Sequence, residues 1–397
     1  MKLYITEKRV NKVNSIFLIL SIYVDILIYP IVIATGNTLI LWVLLSSMLI
    51  ISIYVNRKIN IKLILFILSI FIIFFMNYLL VDYRDLVIID FINFFRTGLI
   101  TLYFTSQIND YEDLIKWWYR IALISILVCN YMLPYFMANN MYMDFGIFIT
   151  YSFIIIALCF YNKYNKNTTL NLTLMIFLFL EICIFANRGS IIISLLIVLY
   201  YEVLNLKQST DYKIIFKLTT ISFIGSYLIV HMDKILDKII TILNYYNINS
   251  YAITKIVLTL QHGVINESSG RDKIIDICMD IARNSGYMPN GIGYFTYVTN
   301  GKYIYPHNII LEILITFGII GVVVFLGYVI NMIIKYNTYK KYNEYFKNIT
   351  VVIFIYTIVR LMLSSTFWKE KLFWLIIGIM MFINKKDIVT RNNDSKE

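Results

Sequence analysis

The chain has 397 residues, of which 59% are hydrophobic and 15% charged, with a net charge of +11 at pH 7. A soluble domain carries ~25% charged residues, and a chain too polar to fold would be poor in apolar residues, so a soluble globular enzyme and a disordered protein are both excluded. One bilayer crossing takes ~20 mostly apolar residues, and the chain holds material for roughly a dozen crossings.

Apolar runs lie at about 14–34, 37–55, 63–81, 88–107, 117–137, 144–161, 169–187, 190–206, 214–231, 308–334, 349–367 and 372–384. They predict an all-α integral membrane protein with about twelve transmembrane helices. The first run follows Lys2, Lys8, Arg9 and Lys12, as in a signal peptide. It is longer than a signal core and eleven more follow, so it is expected to be retained. The expected layout is helices one to nine in 1–231, a large extracytoplasmic loop at 232–305, helices ten to twelve in 306–384 and a cytoplasmic tail at 385–397.

Counting Lys and Arg orients this layout. With the N-terminus inside, the cytoplasmic segments hold 22 of them. The short outer loops hold four (Arg84, Arg188, Lys369 and Lys371) and the long outer segment seven. Arg96 and Arg360 fall within spans, which completes the 35. Long loops do not count towards orientation. The asymmetry therefore places both termini in the cytoplasm. The positive charge reads as this loop bias and not as a nucleic-acid surface.

The loop at 232–305 is the one sizeable hydrophilic region. Residues 233–246 put Ile235, Ile239, Ile242, Leu243 and Tyr246 on one helical face, the pattern of a helix lying along the membrane. Residues 269–283 read as a second helix, with Ser269 and Asp272 at capping-box spacing and a stripe of Ile274, Ile277, Cys278 and Ile281. Asn284, Ser285 and Gly286 end it, and Pro289 to Gly293 form a turn. Cys129, Cys159 and Cys183 lie in apolar runs and read as packing residues. No CxxC or Cys/His spacing for a metal is present, no phosphate loop or dinucleotide fingerprint occurs, and no cofactor is expected.

Three polar residues stand out at the outer face. Arg188 lies in Asn187-Arg188-Gly189-Ser190, at the turn between spans seven and eight. It either snorkels to lipid headgroups or presents a planar guanidinium to a phosphate. Arg271 lies in Ser268-Ser269-Gly270-Arg271-Asp272, in the first turn of a loop helix. A cation there opposes the helix dipole. It is either a surface Arg or a partner of the helix N-terminus in holding an anion. His307 lies in Tyr305-Pro306-His307-Asn308, at the start of span ten. It is either structural or, kept neutral by the positive helix end, a proton acceptor. Charges inside spans are costly. Arg96 and Arg360 either extend a basic cavity from the outer face or pair with Asp90, Glu181 or Glu312. Asp25, in mid-span one, has no evident role.

The stretch Asn290 to Gly321 resembles the O-antigen ligase and polysaccharide polymerase family. It carries a Gly-x-Gly turn (Gly291, Gly293), His307-Asn308, Leu311-Glu312 on the following helix, and Gly318 and Gly321. Asn187-Arg188-Gly189-Ser190 is similar to the family's Arg-Gly-small turn, and Ser269-Gly270-Arg271 to its Ser-Gly-Arg. The resemblance covers roughly 187–330, and elsewhere only the topology is similar.

The resemblance implies a glycosyltransferase that uses an undecaprenyl-pyrophosphate-linked oligosaccharide at the outer face. A polymerase would join repeat units of an O-antigen, capsule or exopolysaccharide. A ligase would move the glycan onto lipid A-core or another acceptor. His307, Arg188 and Arg271 would be catalytic. Arg96, Arg360, Asn308, Gly291 and Gly293 would bind pyrophosphate or glycan. The chemistry expected is inverting and metal-independent, and a chain-length regulator is a candidate protein partner. Polymerase is preferred, because the wealth of Ile, Asn, Lys, Tyr and Phe suggests an AT-rich, low-GC source, in which lipid A-core would be absent. A lipid-linked glycan flippase is the alternative from another class, but it would need no external loop carrying a base.

Overall fold

A computed structural model describes residues 7–164, 167–206, 232–245, 253, 257 and 271–383. The expected ninth span at 214–231, the cap residue Ser269, the Ser268–Gly270 stretch, Tyr246 and the tail at 385–397 lie outside the described residues. The described elements are all helical. In chain order they are α1 (Glu7–Thr35), α2 (Leu39–Asn56), α3 (Ile61–Leu80), α4 (Arg84–Phe94), a π-helical turn (Phe95–Leu99), α5 (Ile100–Thr105), α6 (Tyr111–Ala138), α7 (Tyr142–Tyr161) and α8 (Thr168–Phe185). They continue with α9 (Arg188–Leu206), α10 (Met232–Tyr245), α11 (Arg271–Asn284), α12 (Tyr294–Val298), α13 (Ile309–Tyr339), α14 (Glu344–Leu363) and α15 (Lys371–Phe382).

Among the described residues, ten helices are long and apolar enough to cross a membrane. They correspond to expected spans one to eight, ten and eleven, with α4, the π turn and α5 together making span four. The chain is thus a helical membrane protein. Expected span twelve differs. α15 has 12 residues, a rise of ~18 Å against a hydrocarbon core of ~30 Å. It is also buried on nearly all sides. Expected span eleven ends early, because α14 runs from Glu344 and stops at Leu363. Residues 364–370 turn back as a loop in which every residue but Lys369 is buried. Irregular backbone at membrane depth is tolerated where protein surrounds it.

The chain divides into two compact units, Met1–Ser125 with Arg271–Glu397, and Ile126–Gly270. In the first, α5 packs against α1, α2 and α15, α14 packs on α15, and α11 packs on α13. Outer faces of α2 and α3 expose Val43, Ile50, Leu65 and Phe75, as expected where the solvent is lipid. Polar side chains tie the inner faces together. Asn14 Nδ2 donates to Asn56 Oδ1 at 2.8 Å, and Ser52 Oγ donates to Asn14 Oδ1 at 2.6 Å. Such interhelical bonds contribute about 0.6–2 kcal/mol each in a membrane.

Asp25 acquires a role here. Lys371 Nζ reaches Asp25 Oδ2 at 2.7 Å and also donates to the carbonyls of Ser21 and Ile22 at 2.8 and 3.1 Å. Arg96, on the π turn, lies 3.6 Å from Asp25. Lys371 is therefore not an outer-loop lysine. It is a buried cation, held because a charge at this depth requires a partner.

The Gly-rich stretch is a joint between helices. α13 contains one non-helical residue, Gly318, at φ 67° and ψ −169°. That region of backbone space is essentially restricted to glycine. The break frees carbonyls on α13, and the loop after α11 occupies them. Asn290 N–H donates to Ile315 O at 3.0 Å and Gly291 N–H to Thr316 O at 3.1 Å. Ile319 N–H returns a bond to Tyr287 O at 3.0 Å. A Cβ on Gly318 would lie 2.7 Å from Tyr287 O. Gly318→Ala is expected to destabilise the protein by about 1–3 kcal/mol, checked by thermal unfolding in detergent.

The second loop helix, α11, forms as expected. Ile274, Cys278 and Ile281 pack on Phe295 and Ile315, and burial pushes the Cys278 thiol up to about 12. In the second unit, α7 packs on α8 and α9. Ile239 and Ile240 of α10 pack with Ile253, Val257 and Ile184, whereas Ile242 is exposed. Part of the apolar face expected to lie along the membrane thus meets protein.

Candidate functional site

The site is assembled on the end of α14. The last carbonyls of a helix have no intrahelical partners, and burying them requires other donors. Here the donors come from residues 271–307 and, for the loop that follows, from Thr97 on the π turn. Arg271 Nη2 donates to Leu363 O at 3.0 Å. His307 Nδ1 lies 3.1 Å from the same oxygen. Tyr305 Oη donates to Ser364 O at 3.0 Å, and Thr97 Oγ1 donates to Trp368 O at 2.6 Å. One backbone carbonyl therefore joins two of the residues singled out in the sequence.

That contact decides the tautomer of the imidazole. A carbonyl oxygen only accepts, so Nδ1 carries a hydrogen, and in the neutral ring Nε2 keeps its lone pair. His307 stands in left-handed backbone, φ 56°, uncommon for a residue with a side chain. Its neighbours hold it there. The Tyr305 ring lies 4.4 Å from the His307 ring, centroid to centroid. Asn308 caps α13, its side chain accepting from Ile310 N–H and Leu311 N–H at 2.9 and 3.2 Å. The imidazole is held below its ordinary pKa. Burial is the main cause, the Leu363 carbonyl opposes it, and the charges of Arg271 and Arg360 add to it. Burial also raises the Tyr305 hydroxyl, leaving it a donor.

The position of Arg271 is now accounted for. It is the first residue of α11, where a cation is unfavourable, but its guanidinium sits at the C-terminal, negative end of α14. Arg360 is committed inside the protein. Its Nη1 donates to Ser364 Oγ at 3.0 Å, and its Nε lies 3.6 Å from Glu370 Oε2. Both charged side chains are buried. Arg96 pairs with Asp25. The pairings envisaged with Asp90, Glu181 or Glu312 are replaced by Arg96–Asp25 and Arg360–Glu370, because Glu370 and Asp25 come close only in three dimensions.

Gly291 and Gly293 have φ of 98° and 82° and serve as a close-packed joint. A Cβ on Gly291 would lie 2.8 Å from Asn77 Oδ1, and one on Gly293 would lie 2.9 Å from Leu86 Cβ. Asn77 Oδ1 accepts from Ile292 N–H at 3.0 Å, and Tyr83 Oη donates to Asn290 O at 2.6 Å. Burial and the neighbouring Tyr294 and Tyr297 push the Tyr83 hydroxyl up to about 12.

Arg188 belongs to the second unit, where it opens α9. Asn187 Oδ1 accepts from Ser190 N–H at 3.0 Å, and Ser190 Oγ donates to Gly146 O at 3.2 Å. These bonds hold the turn rigidly. Gly189 is helical there.

Sequence reasoning missed Tyr305, Glu370 and the Leu363 carbonyl. The run Ser364-Ser365-Thr366 was the available signal, since three consecutive hydroxyl residues interrupt an otherwise apolar stretch. Among the described residues, no group of three or more His, Cys, Asp or Glu side chains is placed to hold a metal ion. No protein-family model matches the chain, and no curated protein matches it in sequence.

Proposed function

We propose that the protein is a polysaccharide polymerase, a glycosyltransferase that joins undecaprenyl-pyrophosphate-linked repeat units at the outer face of the bacterial cytoplasmic membrane. The observation that carries this reading is the Leu363 carbonyl shared by Arg271 and His307. It anchors the Nδ1–H of His307, so that Nε2 carries the lone pair when burial keeps the imidazole neutral, beside a fixed cation; these are the two groups such a transfer needs.

The donor's anomeric carbon already bears a good leaving group. The acceptor hydroxyl attacks this carbon and the new C–O bond forms as the bond to the pyrophosphate oxygen breaks. The hydroxyl proton passes to His307 Nε2, and the electron pair leaves with the pyrophosphate. Arg271 stabilises the charge developing there. Attack opposite the leaving group inverts the anomeric centre. The bilayer supplies the donor, which suits a chain with so little soluble surface.

The cell-surface polymer of a deletion strain tests this reading. Single repeat units in place of polymer are the expected result. Full-length polymer retained on the lipid carrier would make the protein a ligase, and loss of externally accessible lipid-linked units would make it a flippase. The pH profile gives a finer test. The base must be neutral, so activity is lost as pH falls through the pKa of His307, which lies below the ordinary histidine value. Arg271→Gln removes a positive neighbour, raises that pKa and is expected to move the acid limb of kcat/KM to higher pH.

A further inference from the structure

A second feature stands next to His307. In the first unit, α4, α12, the start of α13 and the loop at 364–370 enclose a cavity of about 310 Å³. This is at the lower end of the range for small-molecule sites, ~300–1,000 Å³, room for one ring but not an oligosaccharide. Its polar lining is dominated by two carboxylates, Asp90 and Glu312, with Thr366 donating to Glu312 Oε1. Trp368 and Tyr305 supply aromatic wall, and Lys369 is the single basic residue in the lining. Lys369 is exposed, and its charge acts on Asp90. Glu312 is buried, and so is Trp368. Tyr305 is shared, lining the cavity with a ring that touches His307.

Arg271 bonds the Leu363 carbonyl beside His307 and Arg360 is paired with Glu370, whereas the acidic groups Asp90 and Glu312 line the cavity. A pyrophosphate entering the cavity would meet the Asp90 carboxylate, and like charges in a confined site cost several kcal/mol. A hydroxylated ring meets what it needs: acceptors for its O–H groups and aromatic surface for its C–H face. We infer that this cavity binds the acceptor's terminal sugar, and that the sugar is neutral or carries an amine, not a carboxylate. This rests on the transferase reading for the word acceptor, whereas the sugar site and its charge preference rest on the cavity alone.

The test uses the full-length protein in lipid nanodiscs and saturation-transfer NMR with four methyl glycosides as probes: galactoside, N-acetylglucosaminide, galactosaminide and glucuronide. The expected result is transfer to the first three, with the glucuronide at least about tenfold weaker. Asp90→Asn should weaken the galactosaminide about tenfold, the scale of one hydrogen bond to a charged group. Ile89→Trp narrows the cavity without touching either carboxylate and should weaken all the probes, which keeps the test independent of any one buried carboxylate. Equal binding of the glucuronide, signals unmoved by both substitutions, or no signal from any glycoside would overturn the inference. Polymer assembly by a His307→Asn variant separates the two readings. Selective sugar binding alongside normal polymer from that variant removes the assignment of His307 but leaves the sugar site. Lost polymer without cavity-dependent binding does the reverse.

Discussion

Replacing His307 with asparagine is expected to lower glycosyl transfer by ~10²–10⁴-fold, the usual contribution of a general base, while leaving the protein folded. Asparagine is the informative choice for two reasons. It tolerates the left-handed backbone that His307 occupies at φ 56° better than most residues do. Its amide N–H can also replace the Nδ1 hydrogen bond to Leu363 O. What it cannot supply is a second nitrogen with a lone pair. The comparison with His307→Ala, which loses both the hydrogen bond and the backbone tolerance, separates anchoring from proton transfer. Turnover of purified lipid-linked repeat units, with thermal unfolding as the control for folding, decides it. Near-normal polymer from the asparagine variant would sink the base assignment.

Breaking the ion pair between Arg360 and Glu370 is expected to have the largest effect on stability. Both side chains are at most 5% exposed, and removing one member of a buried pair leaves an uncompensated charge, at a cost of ~3–5 kcal/mol. Glu370→Leu and Arg360→Met should each lower the unfolding temperature sharply. The double variant should recover most of the loss, since two well-packed apolar residues can replace a buried pair. The pair also ties the loop at 364–370 to α14, and that junction presents Leu363 O to His307 and Arg271. The single variants should therefore lose activity as well. The double variant discriminates further. If it is stable and active, Arg360 is a positioning residue. If it is stable and inactive, Arg360 binds substrate, as the sequence alone left open. Single variants as stable as the parent would mean that the loop is held by its other contacts.

Much of the architecture could be read from the order of residues because a membrane imposes local rules. A span must be ~20 apolar residues in one piece, so ten helices lie where hydropathy places them. The stripe of Ile274, Cys278 and Ile281 was equally legible, because helical periodicity is a property of near neighbours. The two departures, the early end of α14 and the shortness of α15, come from residues whose partners are far away in sequence. Lys371 reads as a loop lysine until Asp25, 346 positions earlier, is brought to it. Ser364 to Phe367 read as the end of a span until Thr97, Tyr305 and Arg271 supply donors for the carbonyls at this turn.

The same division runs through the site. Composition and hydropathy by themselves determined a many-helix membrane protein with little polar surface at its disposal, and marked His307 and Arg271 as residues worth explaining. Only the tertiary structure decided how they relate. It set both on the carbonyl of Leu363, gave His307 its tautomer, turned Arg360 inward to Glu370, and placed Asp90 and Glu312 around a cavity beside Tyr305. The physical reason is that hydrophobic periodicity is encoded over a few residues, whereas the satisfaction of a buried charge or carbonyl depends on whichever group the fold brings within hydrogen-bonding distance.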